Sequence, residues 1–116
     1  MKYFTLDEFD CPSLPNSGKN MDSSFLAKLE QARENAGIPF KITSGYRTKE
    51  HNAEVGGVPN SSHLIGVAAD IAVSGGADRY IILSALIKAG FKRIGVAKTF
   101  IHCDTDDSKS NSVWTY

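Results

Sequence analysis

The sequence predicts an α+β fold, and three observations carry that prediction. Two segments, 24–36 and 77–89, repeat apolar residues at helical spacing. Several short apolar runs read as strands, and they fall among the helices in mixed order instead of strict βα alternation. The 116 residues are 41% hydrophobic and 9% aromatic, enough for one core and too few for two domains, so 1–116 is read as a single domain.

The elements follow in chain order. Residues 12–20 are rich in Pro, Ser, Gly and Asn, which favour turns, and Asp22 or Ser23 caps the helix that follows. Within 24–36, Phe25, Leu26, Leu29 and Ala32 share one face, and Gly37 supplies the stop. Residues 40–43 alternate apolar and polar as a half-buried strand does, ending at Ser44-Gly45. Thr48 caps one or two helical turns over 48–55, and Gly56-Gly57-Val58-Pro59-Asn60 forces a loop. Residues 67–73 are apolar except for Asp70 and read as a buried strand closed by Ser74-Gly75-Gly76. The second helix, 77–89, presents Tyr80, Ile81, Leu83, Ala85, Leu86 and Ile87 and stops at Gly90. Strands are expected at 91–96 and 99–103, and the polar stretch 104–112 reads as a surface loop.

Composition narrows the function. Thirteen Lys and Arg offset thirteen Asp and Glu, so no long-range basic field draws the chain to nucleic acid or an anionic membrane, and neither partner is expected. The N-terminal stretch lacks the apolar core of a secretory signal, and no window approaches the roughly 18 apolar residues of a membrane span. Two cysteines, Cys11 and Cys103, are too few for a disulfide framework or a four-cysteine zinc site, and both are expected as free thiols. With three histidines in the chain, any metal site must draw on nearly all of them.

The chemistry concentrates in Ser61-Ser62-His63-Leu64-Ile65-Gly66-Val67-Ala68-Ala69-Asp70 and in Phe100-Ile101-His102-Cys103-Asp104. Asp70 is a carboxylate inside an apolar strand, and burying it unpaired costs several kcal/mol unless a partner or a metal offsets it. If the two strands are neighbours, His63, Asp70 and His102 converge as the open three-ligand set of a catalytic zinc; the alternative is a pair of hydrogen-bonded histidines and a capping aspartate. Two further elements, Ser44-Gly45-Tyr46-Arg47-Thr48 and His51-Asn52, lie at element ends, where sites are assembled.

In that order, these motifs resemble the zinc D-Ala-D-Ala carboxypeptidase family of metallopeptidases, above all its short single-domain members common in bacteriophages and among bacterial cell-wall enzymes. The opening Phe4-Thr5-Leu6-Asp7-Glu8-Phe9-Asp10-Cys11 is similar as well, so the resemblance covers nearly the whole chain. It implies a small antiparallel sheet holding the metal between flanking helices, one zinc per chain bound by His63, Asp70 and His102, and hydrolysis of peptide bonds in peptidoglycan stem peptides. Zinc would polarise the scissile carbonyl and lower the pKa of its water toward neutrality. A carboxypeptidase or an endopeptidase fits equally. A monomeric phage lysis enzyme, cytoplasmic until release or carried in the virion, would act on the cell wall without a signal peptide. A zinc-stabilised peptidoglycan-binding or virion structural module without turnover is the alternative.

The resemblance also assigns roles. Arg47 clamps a substrate carboxylate or stabilises the oxyanion, unless it is a surface arginine paired with Glu50 or Glu54. Tyr46 donates to substrate or packs; Ser62 touches substrate, supports the ligands or is a loop serine. His51 is expected to support the site from outside the ligand set. Several relatives carry an acidic base three positions before the last histidine ligand, where this chain has Thr99. Asp104 projects to the same face as His102, and two roles stand open for it: general base, or the carboxylate that orients His102. Cys103 points to the opposite face and is expected in the core.

Overall fold

A computed structural model describes residues 1–116. Helix α1 (Ser23–Ala36) starts where the Asp22 carboxylate accepts a hydrogen bond from the Phe25 amide at 2.9 Å, and it ends at Gly37 with φ of +68°. It buries Phe25, Leu26, Leu29 and Ala32, the four residues whose spacing predicts it. Strand β1 is Ile42–Ser44, and α2 is Lys49–Glu54, capped by the Thr48 hydroxyl. Strand β2 (Ala68–Ala72) leads to α3 (Gly76–Lys88), followed by β3 (Arg93–Val96), β4 (Phe100–Asp104) and β5 (Ser112–Thr115). No helix is long and apolar enough to cross a membrane.

The five strands form one sheet in the order β1-β2-β4-β3-β5. The first three pairings are antiparallel, and β5 joins β3 in parallel. Ala69 and Ile71 of β2, Ile94 of β3, and Ile101 and Cys103 of β4 enter a core with Phe25 and Leu29 of α1 and Ile82, Ala85 and Leu86 of α3. Side chains alternate along a strand, so the residues between these point to the other face. One row then crosses all five strands: Ser44, Asp70, His102, Gly95 and Trp114 are successive cross-strand partners.

Two expectations need correction. The strand predicted at 40–43 forms at Ile42–Ser44; Phe40 is buried in the core without pairing in the sheet. The polar stretch 104–112 is not simply a surface loop. Asp104 is the last residue of β4 and is 1% exposed, Asp106 is 5% exposed, and Ser112 opens a fifth strand. The physical reason is specific pairing. Arg93 Nε donates to Asp104 Oδ1 at 2.8 Å, and Ser62 donates to Asp106 Oδ2 at 2.7 Å, so both carboxylates are compensated inside the fold.

Candidate metal centre

His63 reaches the row of Asp70 and His102 from a short 3-10 turn, Ser62–Ile65. The Ser61 hydroxyl accepts from the His63 amide at 3.2 Å and opens the turn. Gly66 closes it at φ of +73°, where an added Cβ would lie 2.3 Å from the Asn20 carbonyl oxygen. The His63 carbonyl accepts from the Arg47 amide at 3.1 Å, which ties the turn to the end of β1.

The imidazole orientations follow from their second partners. His63 Nδ1 lies 2.7 Å from the Gly45 carbonyl oxygen. A carbonyl oxygen can only accept, so Nδ1 carries the proton and Nε2 presents its lone pair. That Nε2 lies 3.3 Å from Asp70 Oδ1. His102 Nδ1 is 2.9 Å from the same oxygen, while its Nε2 is 2.7 Å from Asp104 Oδ2. One donor atom from each of His63, Asp70 and His102 lies within 4.8 Å of the others.

This geometry fits a cation. A histidine lone pair aimed at a carboxylate oxygen sets acceptor against acceptor, which is unfavourable unless a proton or a metal ion lies between them. Two imidazole nitrogens and one carboxylate oxygen are a zinc donor set, and three protein ligands leave a fourth position open. Each imidazole is oriented through its other nitrogen, as metal-binding histidines are. Burial opposes the charged form of Asp70, yet its contacts with His102 and His63 outweigh it and hold the carboxyl well below the usual range. Burial likewise disfavours charge on His102, but Asp104 and Asp70 overcome it and raise the imidazole pKa.

The three residues line a cleft of about 410 Å³ that also contains Arg47, Ser62, Asp104, Phe100, Trp114 and Tyr116. The sequence model of the family described as Peptidase M15 matches residues 2–104. The chain belongs to the M15 peptidases. This is the D-Ala-D-Ala carboxypeptidase-like family of zinc metallopeptidases, whose members are peptidases acting on peptidoglycan. No curated protein matches the chain. The matched residues include Arg47 and the whole donor set and stop before 105–116.

In this M15-family protein Arg47 pairs with neither Glu50 nor Glu54. Its Nε donates to Ser44 Oγ at 2.9 Å, Nη1 to Asn52 Oδ1 at 3.1 Å and Nη2 to Asp70 Oδ2 at 3.4 Å. Asn52, 3% exposed, in turn donates to the Val58 carbonyl at 2.8 Å and so ties the 56–60 loop to the arginine. Ser62 lies in the cleft, held between Asp106 and Lys109, whose Nζ donates to its hydroxyl at 3.0 Å. Tyr46 packs against the core and does not line the cleft. His51 stays on α2, 3.9 Å from Glu54 and outside the donor cluster. Cys103 is fully buried, and burial, then the negative Asp70 and Asp104, push its thiol pKa up; Cys11 is also a buried free cysteine.

Asp104 uses both of its oxygens. Oδ2 faces His102 Nε2, and Oδ1 accepts from Arg93 and, at 3.0 Å, from the Asp106 amide. Burial opposes its charge, but these partners keep its pKa below the ordinary value. Arg93 is a site residue that the sequence reading missed. Its guanidinium stacks 4.9 Å over the Trp114 ring and donates to the Ser110 carbonyl, bracing Asp104 behind His102. Two signals pointed here: a glycine, Gly95, inside an apolar strand marks a close approach, and Ser112-Val113-Trp114-Thr115 has strand composition.

Proposed function

We propose that this protein is a zinc-dependent peptidase that hydrolyses peptide bonds in peptidoglycan stem peptides, as a D,D-carboxypeptidase or an endopeptidase, in phage lysis or as part of a virion. The observation that supports this most is the convergence of His63 Nε2, Asp70 Oδ1 and His102 Nδ1 in an open cleft of an M15-family chain. In the reaction, a water oxygen bonds to the carbonyl carbon, the C–N bond breaks, and the leaving nitrogen takes a proton. Zinc held by the three residues supplies a Lewis acid for the carbonyl and makes water reactive near pH 7.

The chain's own groups divide the remaining work. Arg47 is held at its Nε and Nη1, while its contact to Asp70 is long at 3.4 Å, so Nη2 is available to a substrate carboxylate or a developing oxyanion. Gly45 and Asp104 hold His63 and His102 in the tautomers and orientations the site needs. We assign Asp104 this orienting role, since His102, Arg93 and the Asp106 amide occupy its carboxylate.

A second reading draws on the same observation. Asp70 and Asp104 are the only carboxylates lining the cleft, both engaged, and Thr99 stands three positions before His102. A zinc-stabilised module that binds stem peptides without turnover follows if neither can serve as base. Mass spectrometry of muropeptides after incubation with zinc-loaded protein separates the two. New fragments that name the cut bond support the peptidase, whereas unchanged muropeptides that still bind the protein overturn it in favour of the module.

A further inference from the structure

Three aromatic side chains stay out of the core and gather in the metal cleft: Phe100, Trp114 and Tyr116. Two of them belong to the β5 segment, outside the residues of the family match. Trp114 lies against Gly95, where an added Cβ would meet the indole at 2.6 Å, so that strand position admits only glycine while the ring is in place. The indole centroid is 5.4 Å from the His102 ring, and the rings of Phe100 and Tyr116 are 5.0 Å apart. Tyr116 is 70% exposed. An apolar surface of this kind, beside a few convergent polar groups, is how small-ligand sites are built.

We propose that Trp114 and Tyr116 form a substrate-contacting wall that determines specificity, receiving the aliphatic part of a short peptide whose carboxylate is drawn by Arg47; this rests on the peptide substrate proposed above. The row across the sheet sets the scale. The backbone positions of Asp70 and Trp114 are three strand spacings apart, about 14 Å, but the indole leans back over Gly95 to within 5.4 Å of the His102 ring, so the wall stands directly beside the donor set. A peptide whose carboxylate meets Arg47 then lays the residue nearest the donor set against the wall. Aromatic anchors of this type often carry a large share of binding energy.

The chain has a single tryptophan, so its emission reads the wall directly. Zinc-loaded protein is titrated with the stem pentapeptide released from peptidoglycan, and emission and hydrolysis are followed in parallel. The wall predicts a saturable emission change, and it predicts that Trp114→Ala and Tyr116→Ala each raise KM about tenfold, more than they lower kcat, with zinc content retained. Trp114→Phe restores most of the loss if the ring contacts substrate. Should Trp114→Ala fail to fold, the exposed Tyr116 carries the test. Emission that stays flat, or a KM unmoved in Tyr116→Ala, overturns the wall. Emission that saturates without hydrolysis overturns the peptidase reading and leaves the wall standing.

Discussion

The two arginines of the cleft hold the two sides of the metal centre differently. Arg47, at the β1 side, is anchored by neutral partners, Ser44 and Asn52, and only brushes Asp70 at 3.4 Å. Arg93, at the β5 side, is committed to a carboxylate: its Nε meets the 1%-exposed Asp104 at 2.8 Å, and Trp114 covers its guanidinium. A weakly paired cation can turn to a ligand at little cost, whereas one locked to a buried carboxylate is structural. Identical side chains thus divide into one held loosely beside Asp70, to which we assign the work on substrate, and one that braces the carboxylate behind a histidine.

Substitutions can break that comparison, and the largest effect belongs to the donor set between the arginines. Asp70→Ala or His102→Ala should remove zinc and lower turnover by several orders of magnitude, checked by metal analysis and muropeptide release. Next come the arginines themselves. Arg47→Ala should lower kcat/KM by roughly 10²- to 10³-fold with zinc retained, and should cost only about 1 kcal/mol of stability for the Asn52 acceptor it leaves without a partner. Arg93→Ala strips the buried Asp104 of its arginine partner and leaves it only His102 and the Asp106 amide, so it should cost roughly 3 kcal/mol in denaturant unfolding and weaken zinc binding as well. If the two variants lose stability alike, the division of labour is wrong.

Asp104→Asn sharpens the assignment on the β5 side. An orienting carboxylate predicts zinc affinity reduced about 10- to 100-fold and turnover largely recovered in excess zinc. A general base predicts full zinc occupancy with turnover down about 10²- to 10⁴-fold, whatever the zinc concentration.

The smallest expected effect lies in the segment that carries β5. Although burial works against it, hydrogen bonds from Ser108 and Ser62 hold the Asp106 pKa down to about 2. Its folded value is therefore below its unfolded value of about 4, so its stabilising contribution is present above about pH 4 and is lost as pH falls toward 2. Asp106→Asn should flatten that part of the acid limb in urea melts at pH 2 to 5. An acid limb identical to that of the unsubstituted protein would show that Asp106 carries no such linkage.

What the sequence made legible follows the same divide. Helices α1 and α3 and strands β2 and β4 announce themselves through periodicity, caps and an apolar frame, and Asp70 stands out because its neighbours are apolar. The apolar frame made His63, Asp70 and His102 readable as one possible set, and the resemblance to the peptidase family is what singled out that set and Arg47. Asp104 was picked out beside His102, but its burial, like that of Asp106 in the predicted loop, went unread because hydropathy sees charge and cannot see the partners that offset it: Arg93 lies eleven residues before Asp104, and Ser62 forty-four before Asp106. β5 escaped notice because it is four residues long and pairs in parallel with β3, a strand that is not its neighbour in the chain. Tyr46 looked functional from its motif, yet the strand end turns it toward the core.

The central claim is that His63, Asp70 and His102 hold one catalytic zinc, and elemental analysis of the purified protein beside Asp70→Ala tests it most directly. After zinc loading and exhaustive dialysis, the account predicts about one zinc per chain in the unsubstituted protein and none in the variant. Zinc absent from the unsubstituted protein, or retained equally by Asp70→Ala, would contradict it.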